Sequence, residues 1–386
     1  MTTIERDKKY IANTYARAPF CAVSGKGALV LGEDGREYID LGSGIAVNTF
    51  GFCDEDWIKA VDEQLHKLQH ISNLYYTQPQ ATLAEMLCTR TGMKKVFFSN
   101  SGAEANECAI KSARKYSYDK YGRGRHTVIT LQNSFHGRTM ATLTATGQSA
   151  MHEGFQPLLP DFKYAPANDF DALKSLCDDT VCAVMLELIQ GEGGVTPLDK
   201  EYVSRVFAFC AEKDILLIVD EVQTGNGRTG SLFAFTQYGV APDILSTAKG
   251  LAGGLPFGAC LLGEKLSDTL SAGSHGSTFG GNPIAAAGAV NIISRIDEPL
   301  LESVREKGQY IRDELSSLKG VKSITGLGLM IGIETGRDAK EIAADCLDRG
   351  LIVLTAKNKI RLLPPLNIEQ ELLDKALCIL KGVIGK

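Results

Sequence analysis

ILLIVDEVQTGNGRTGSLFAFTQYGVAPDILSTAKG, residues 215 to 250, is the stretch whose reading decides the fold. It opens on five consecutive apolar residues, Ile215 to Val219, the length and composition of a strand buried on both faces. That run ends on two carboxylates, Asp220 and Glu221, and a buried strand does not end on an acid by default. In an open α/β sheet, ligands sit beyond the carboxyl ends of the strands, so Asp220 is expected to project into that crevice. A second apolar segment, Ile244 and Leu245, runs into Ser246-Thr247-Ala248-Lys249-Gly250 and places Lys249 at the next strand end. An acid and a lysine then face one crevice.

One kind of chemistry needs that pair. A lysine amine forms a Schiff base with pyridoxal phosphate, and a carboxylate against the ring nitrogen keeps the ring protonated so that it accepts electrons. Such a lysine must spend part of its time neutral, which burial and neighbouring positive charge favour. The plain alternative is a surface ion pair. Gly225, Gly227 and Gly230 also spell G-x-G-x-x-G after the strand. A dinucleotide-binding turn needs the first glycine at the strand end and a helix over the third. Here Asp220 to Thr224 intervene and Ser-Leu-Phe-Ala-Phe follows, so a glycine-rich loop shaped around Arg228 is the better reading.

Working outward, strands are expected near residues 96, 128, 183, 217 and 244, with helical patterns between several of them, giving a doubly wound, largely parallel sheet. Lys95 to Phe98 leads into Ser99-Asn100-Ser101-Gly102-Ala103-Glu104, where small residues at a helix start outline a phosphate cup or simply a serine cap. Phe135, His136 and Arg138 leave the strand His126 to Leu131 together, an aromatic plane beside a guanidinium fork suited to a carboxylate. Cys182 to Leu186 ends at Glu187, with Glu192 on the following loop. Helices are expected over Trp57 to Leu68, Pro79 to Thr89 and from the phosphate-cup turn to Tyr116. Before the second of these, Tyr75 and Tyr76 read as packing or a pocket rim.

Gly276 to Pro283 is a glycine-rich break carrying Ser277 and Thr278, followed by a helix from Pro283 to Ile296. The pattern then runs helix (302 to 318), strand (321 to 334), helix (338 to 349), strands near 352 and 360, and a helix from 369 to 383. This predicts a large domain over residues 46–282 and a smaller α+β domain over 283–386, completed by a hairpin within residues 1–45.

The composition excludes several functions. A formal net charge of −5 without a dense Lys/Arg cluster argues against nucleic acid as a partner. Apolar runs fall far short of the roughly 18 residues of a membrane span, and the N-terminus has no apolar core like that of a signal peptide. The 10 cysteines are dispersed without C-x-x-C, several, such as Cys210 and Cys378, inside apolar stretches, which suits reduced buried thiols in the cytoplasm. The 6 histidines show no metal-ligand spacing.

Taken in order, SNLYYTQPQ, SNSGAEANE, NSFHGRT, IQGEGGV, DEVQTGNGRTG, STAKGLAGGLPFGA, GSTFGGNP and IRLLPPLN make the chain resemble the class III (ω-amino) aminotransferases of fold type I over nearly its whole length. The resemblance implies that Lys249 carries pyridoxal 5'-phosphate and Asp220 holds its ring nitrogen. It implies Gln223 near the phenolic oxygen, Phe135 on the ring, and Gly102 and Ala103 amides at the phosphate. Thr278 would reach the phosphate from the other subunit of a homodimer. Arg138 and Ser277 would contact substrate, and Arg361, with Glu192 as a movable partner, would bind a second carboxylate. The implied reaction moves the terminal amino group of N-acetylornithine to 2-oxoglutarate, with ornithine, succinylornithine or 4-aminobutyrate as alternative donors and a non-catalytic cofactor-binding regulator as an alternative role. In ornithine-specific members a tyrosine crowds the α-amino end at the position held here by Gly44, so this chain is expected to have room for an acyl group. One departure stands out: members commonly carry Gly-His-x-His-Pro where this chain has Gly51-Phe52-Cys53-Asp54-Glu55.

Overall fold

The computed structural model describes residues 1–385. A seven-stranded sheet runs in the order Lys95–Ser99, Gly258–Leu262, Ile244–Thr247, Leu216–Asp220, Val181–Leu186, Thr127–Leu131, Phe162–Ala165. Gly258–Leu262 is antiparallel to both neighbours, while the other adjacent pairs are parallel. Side chains along these strands alternate between two apolar cores, as the two-residue period of a strand requires. Val128, Met185, Leu216, Ile218 and Ile244 meet the helix Gly102–Tyr121 through Cys108, Ala109 and Ala113. Ile129, Val184, Leu217, Val219 and Leu245 meet the opposite layer through Leu83, Val206 and Ile292. Both faces are therefore dry, which is why these strands read as continuous apolar runs. Asp220 shares the parity of Leu216 and Ile218, so it emerges on the face of the helix Gly102–Tyr121.

The chain's two ends build the rest. Leu29–Gly32 and Glu37–Asp40 form the expected hairpin, extended by Ala22–Lys26 and joined in parallel by Leu351–Ile352. Its Ala28, Ile39 and Leu41 pack into one core with Val304, Ile331, Leu362 and Leu377. Helix Pro283–Arg295 goes the other way: Ala285, Ala289 and Ile293 pack into the core of the seven-stranded sheet, although the sequence pattern grouped this helix with the smaller domain. Among the described residues, no helix is long and apolar enough to cross a membrane.

Several local expectations change. The single strand expected over 321–334 is two antiparallel strands, Val321–Leu327 and Met330–Thr335, because Gly328 turns the chain at φ +52. The helix expected to stop at Tyr116 continues to Tyr121 and ends at Gly122, whose φ of 77 closes it. An N-terminal helix, Thr3–Tyr10, forms behind a capping box from Thr2 to Glu5. Cys378 is exposed rather than buried, lying opposite the packed Leu373, Leu377 and Leu380 face of Gln370–Ile384. Tyr75 and Tyr76 are exposed rather than packed into the core, at 61% and 104%.

Gly328 provides a test of how closely the two parts of the molecule approach. A β-carbon there would lie 2.6 Å from the Thr229 carbonyl carbon and 2.9 Å from the Arg228 oxygen, both backbone atoms. Gly328→Ala should therefore destabilise the protein by about 1–3 kcal/mol, read as a fall in thermal midpoint. Gly336→Ala, where nothing lies within 4 Å, should leave it nearly unchanged.

Candidate active site

A cavity of about 410 Å³ opens at the carboxyl ends of the central strands, with Asp220, Gln223 and Lys249 among its lining residues. Lys249 lies one residue beyond the strand Ile244–Thr247, after Ala248, and has φ 45, a left-handed conformation uncommon for lysine. Among the described residues, no hydrogen bond or ion pair engages its Nζ. Burial, helped by the charge of Arg361, lowers its pKa from the ordinary lysine range, against the opposing pull of Glu192, Asp220 and Glu187.

Asp220 is only 4% exposed and is held on every side. Asn106 Nδ2 donates to its Oδ2 at 2.7 Å, His136 Nδ1 lies 2.8 Å from the same oxygen, and the Val222 amide donates to Oδ1 at 2.9 Å. Asn106 is fixed in turn, accepting from Ser246 Oγ at 2.6 Å and donating to the His136 carbonyl at 2.8 Å. Among the described residues, the buried His136 Nε2 has no hydrogen-bond partner. The carboxylate therefore stays oriented towards the cavity floor.

Glu187 organises the backbone around the same floor. It accepts from the Phe135 amide at 2.9 Å and the Gly191 amide at 3.2 Å, and burial pushes its pKa up to about 7. Ser101 caps the helix Gly102–Tyr121 by accepting from Glu104, so the serine-cap reading holds. Gly102 and Ala103 nevertheless line the cavity with first-turn amides that the helix itself cannot use. Space here is tight: a β-carbon on Gly102 would meet Val222 Cγ1 at 2.7 Å, and one on Gly137 would meet Ala103 Cβ at 2.8 Å.

At one edge, Arg361 is 3% exposed, its Nη1 2.6 Å from Glu192 Oε1 and 3.4 Å from Gln223 Oε1, with Nε unpartnered among the described residues. At the mouth, Arg138 is exposed and lies over the Phe135 ring at 5.5 Å. Thus Lys249, Asp220, Gln223, Phe135, Gly102, Ala103, Arg138 and Glu192 share one cavity, with Arg361 just behind it. Ser277 stands one step back, accepting from Asn100 Nδ2 at 3.2 Å, and Thr278 is exposed and does not line its own chain's cavity. Nor does Gly44; Val47, three residues on, does. Gly44 lies instead in a left-handed turn with Ser43, Ile45 and Ala46, at φ 48 to 66.

The family pattern described as aminotransferase class-III matches residues 10–384. This chain belongs to the class III aminotransferases. It is 51% identical to the acetylornithine aminotransferase of Haemophilus ducreyi, over 98% of both chains. It is 48% identical to that of Caldanaerobacter subterraneus, over 99% of both. Among solved structures, the ornithine aminotransferase of Toxoplasma gondii matches with a TM-score of 0.93 at 32% identity, over 99% of this chain and 94% of that one. The N-acetylornithine aminotransferase of Stenotrophomonas maltophilia matches at 0.85 and 35%, over 99% and 98%.

Class III aminotransferases work with pyridoxal 5'-phosphate, and the residues of this one fit it. The fit rests on an unengaged lysine, a buried carboxylate facing it, bare helix-start amides, and close-packed glycines where a phosphate would lie. Asn106 was not singled out from sequence. Its signal was a polar residue four positions after Gly102, on a helical face otherwise made of Ala105, Cys108 and Ala109. If Asn106 orients Asp220, Asn106→Leu should weaken pyridoxal 5'-phosphate binding about ten- to a hundredfold, the worth of one hydrogen bond to a charged group. Equilibrium dialysis of the apoprotein measures this, and an unchanged dissociation constant would show that His136 and Val222 suffice.

Proposed function

We propose that this aminotransferase moves the terminal amino group of N2-acetyl-L-ornithine to 2-oxoglutarate, giving N-acetyl-L-glutamate 5-semialdehyde and L-glutamate, as a step of arginine biosynthesis. The ion pair of Glu192 with buried Arg361 carries the reaction type. The donor rests on the identity of about half the chain to curated acetylornithine aminotransferases.

The geometry answers a problem peculiar to terminal amines. The donor's reacting amine lies several carbons from its carboxylate, whereas the reacting carbon of 2-oxoglutarate bears one directly. One fixed arginine cannot serve both distances. Arg138, exposed at the mouth, would take the remote carboxylate of either substrate. Arg361 would take the near carboxylate of 2-oxoglutarate. With the donor present, Glu192 covers Arg361, so a buried guanidinium is not left facing methylene groups.

Pyridoxal 5'-phosphate, when bound, supplies the electron-accepting ring. Lys249 would hold it and then move a proton at the substrate carbon, which its lowered pKa suits. Asp220, fixed by its three donors, would keep the ring nitrogen protonated. Gln223 would reach the phenolic oxygen, and Phe135 would cover the ring.

A homodimer is part of the same reading. Leu74, Tyr76 and Phe279 are 85%, 104% and 60% exposed. They are drawn together because Asn73 Nδ2 bonds the carbonyls of Ser277 and Gly280. An apolar patch of this kind suits burial against a second copy, which would bring Thr278 to the partner's phosphate site. The unpaired cysteines fit the cytoplasm.

Lys249→Ala should abolish turnover together with the visible absorbance of the purified enzyme. Arg361→Ala should slow the glutamate half-reaction about ten- to a hundredfold and leave the N-acetylornithine half nearly intact, and Arg138→Ala should slow both. Single-turnover measurement of each half separates these outcomes, and equal slowing by Arg361→Ala in both would overturn the two-distance scheme. A higher kcat/KM for free ornithine, N-succinylornithine or 4-aminobutyrate would overturn the donor.

A further inference from the structure

Lys249 has an unusual backbone and no anchor on its own side chain, yet the residues on either side of it are held. Before it, Asn226 Nδ2 donates to the Ala248 carbonyl at 3.0 Å and to Thr247 Oγ1 at 3.0 Å. After it, Thr49 Oγ1 donates to the Gly250 carbonyl at 2.7 Å. Both side chains are buried, at 3% and 2% exposure, and neither lines the cavity. They come from segments remote in sequence. Thr49 follows the left-handed turn of Ser43 to Ala46, and Asn226 sits within the glycine-rich loop at φ 57, a conformation asparagine tolerates better than most residues. The approach at Gly250 is close enough that a β-carbon there would meet Thr49 Oγ1 at 2.6 Å.

A lysine at φ 45 is held in a conformation it would leave if free to do so. Releasing either neighbouring carbonyl would let the backbone relax and re-aim Cβ. At the end of a four-carbon side chain, that small rotation displaces Nζ by an ångström or more, enough to cost about a hundredfold where reacting groups must be aligned. We propose that Asn226 and Thr49 are positioning residues of the aminotransferase reaction, a two-sided clamp that fixes the direction in which Lys249 presents its amine. The inference rests on the reading of Lys249 as the cofactor-bearing lysine.

Two substitutions test it in the holoenzyme. Thr49→Val keeps the side-chain shape and removes the hydroxyl. Asn226→Gly keeps access to the left-handed backbone and removes the amide. Each should lower kcat about ten- to a hundredfold with KM within about twofold of wild type, and the double variant further. Each should also displace the pH midpoint of the bound cofactor's visible band, which a purely structural loss would not move. Thr49→Ser, which retains a hydroxyl, should restore both. Soluble Thr49→Val holoenzyme with a lower thermal midpoint but unchanged kcat and band midpoint would overturn the proposal, and this arm stands even if Asn226→Gly fails to fold. Persistence of the visible band in Lys249→Ala would instead strike the assignment of the lysine, a separate failure.

Discussion

A carboxylate withdrawn from water at the end of a buried strand must be given donors or be neutralised, and this constraint on Asp220 arranges much of the molecule. Removing an ion from water costs several kcal/mol, and hydrogen bonds to the charged form are what offset it. Asp220 receives two from side chains and one from backbone, all on the face shared with the helix Gly102–Tyr121. That helix must lie close for Asn106 to reach across, and its small residues at Ala105, Ala109 and Ala113 permit the approach. The same closeness brings its first-turn amides to the cavity, so one packing arrangement supplies the carboxylate's partner and turns bare amides towards the same space.

Two further buried acids stitch the loops that the strands release. Glu221 accepts from Thr224 Oγ1 and from the amides of Ala234 and Phe235, and burial pushes its pKa up to about 7. It closes the glycine-rich segment into a compact loop, which explains why a pattern shaped like a dinucleotide fingerprint has no helix to open. Glu187 does the equivalent on the other side, joining the backbone that carries Phe135 to the loop that carries Glu192. These acids act mainly through main-chain amides, so neither is visible as a ligand contact from residue type alone.

What was legible in the sequence divides along that line. The strands of the large sheet showed themselves because burial on both faces leaves unbroken apolar runs, and the acid and lysine at two strand ends stood out against them. Side chains that work by holding other protein groups gave little signal: Asn106, Asn226 and Thr49 are ordinary polar residues until the fold brings them to Asp220 and to the lysine segment. The same limit explains Gly44. A small residue beside the Val47-Asn48 stretch reads as room for a larger donor, but the left-handed turn directs Val47, not Gly44, to the cavity. Residues such as Tyr76 and Thr278, whose use would lie in a second copy, cannot be placed by the packing of one chain.

The glycine-rich loop also joins the lysine to the part of the molecule that bears Arg361. Two residues beyond Asn226, the guanidinium of Arg228 is buried with, among the described residues, no carboxylate paired to it, and burial lowers its pKa to about 9. Its Nη1 donates instead to the carbonyls of Leu329 and Pro364, and its own carbonyl accepts from the Leu329 amide. Thr49 likewise accepts from the Leu366 amide through its backbone oxygen while its hydroxyl holds Gly250. Each side of the lysine is therefore fastened to a segment that also grips residues 364–366, immediately after the strand Lys359–Leu362 that carries Arg361. A charge buried against carbonyls alone contributes little net stability, and truncating it would leave several acceptors unpaired, so its value lies in fixing geometry. The distance between the Lys249 amine and the Arg361 guanidinium is thus set through two short, fully buried connections rather than through the open cavity between them.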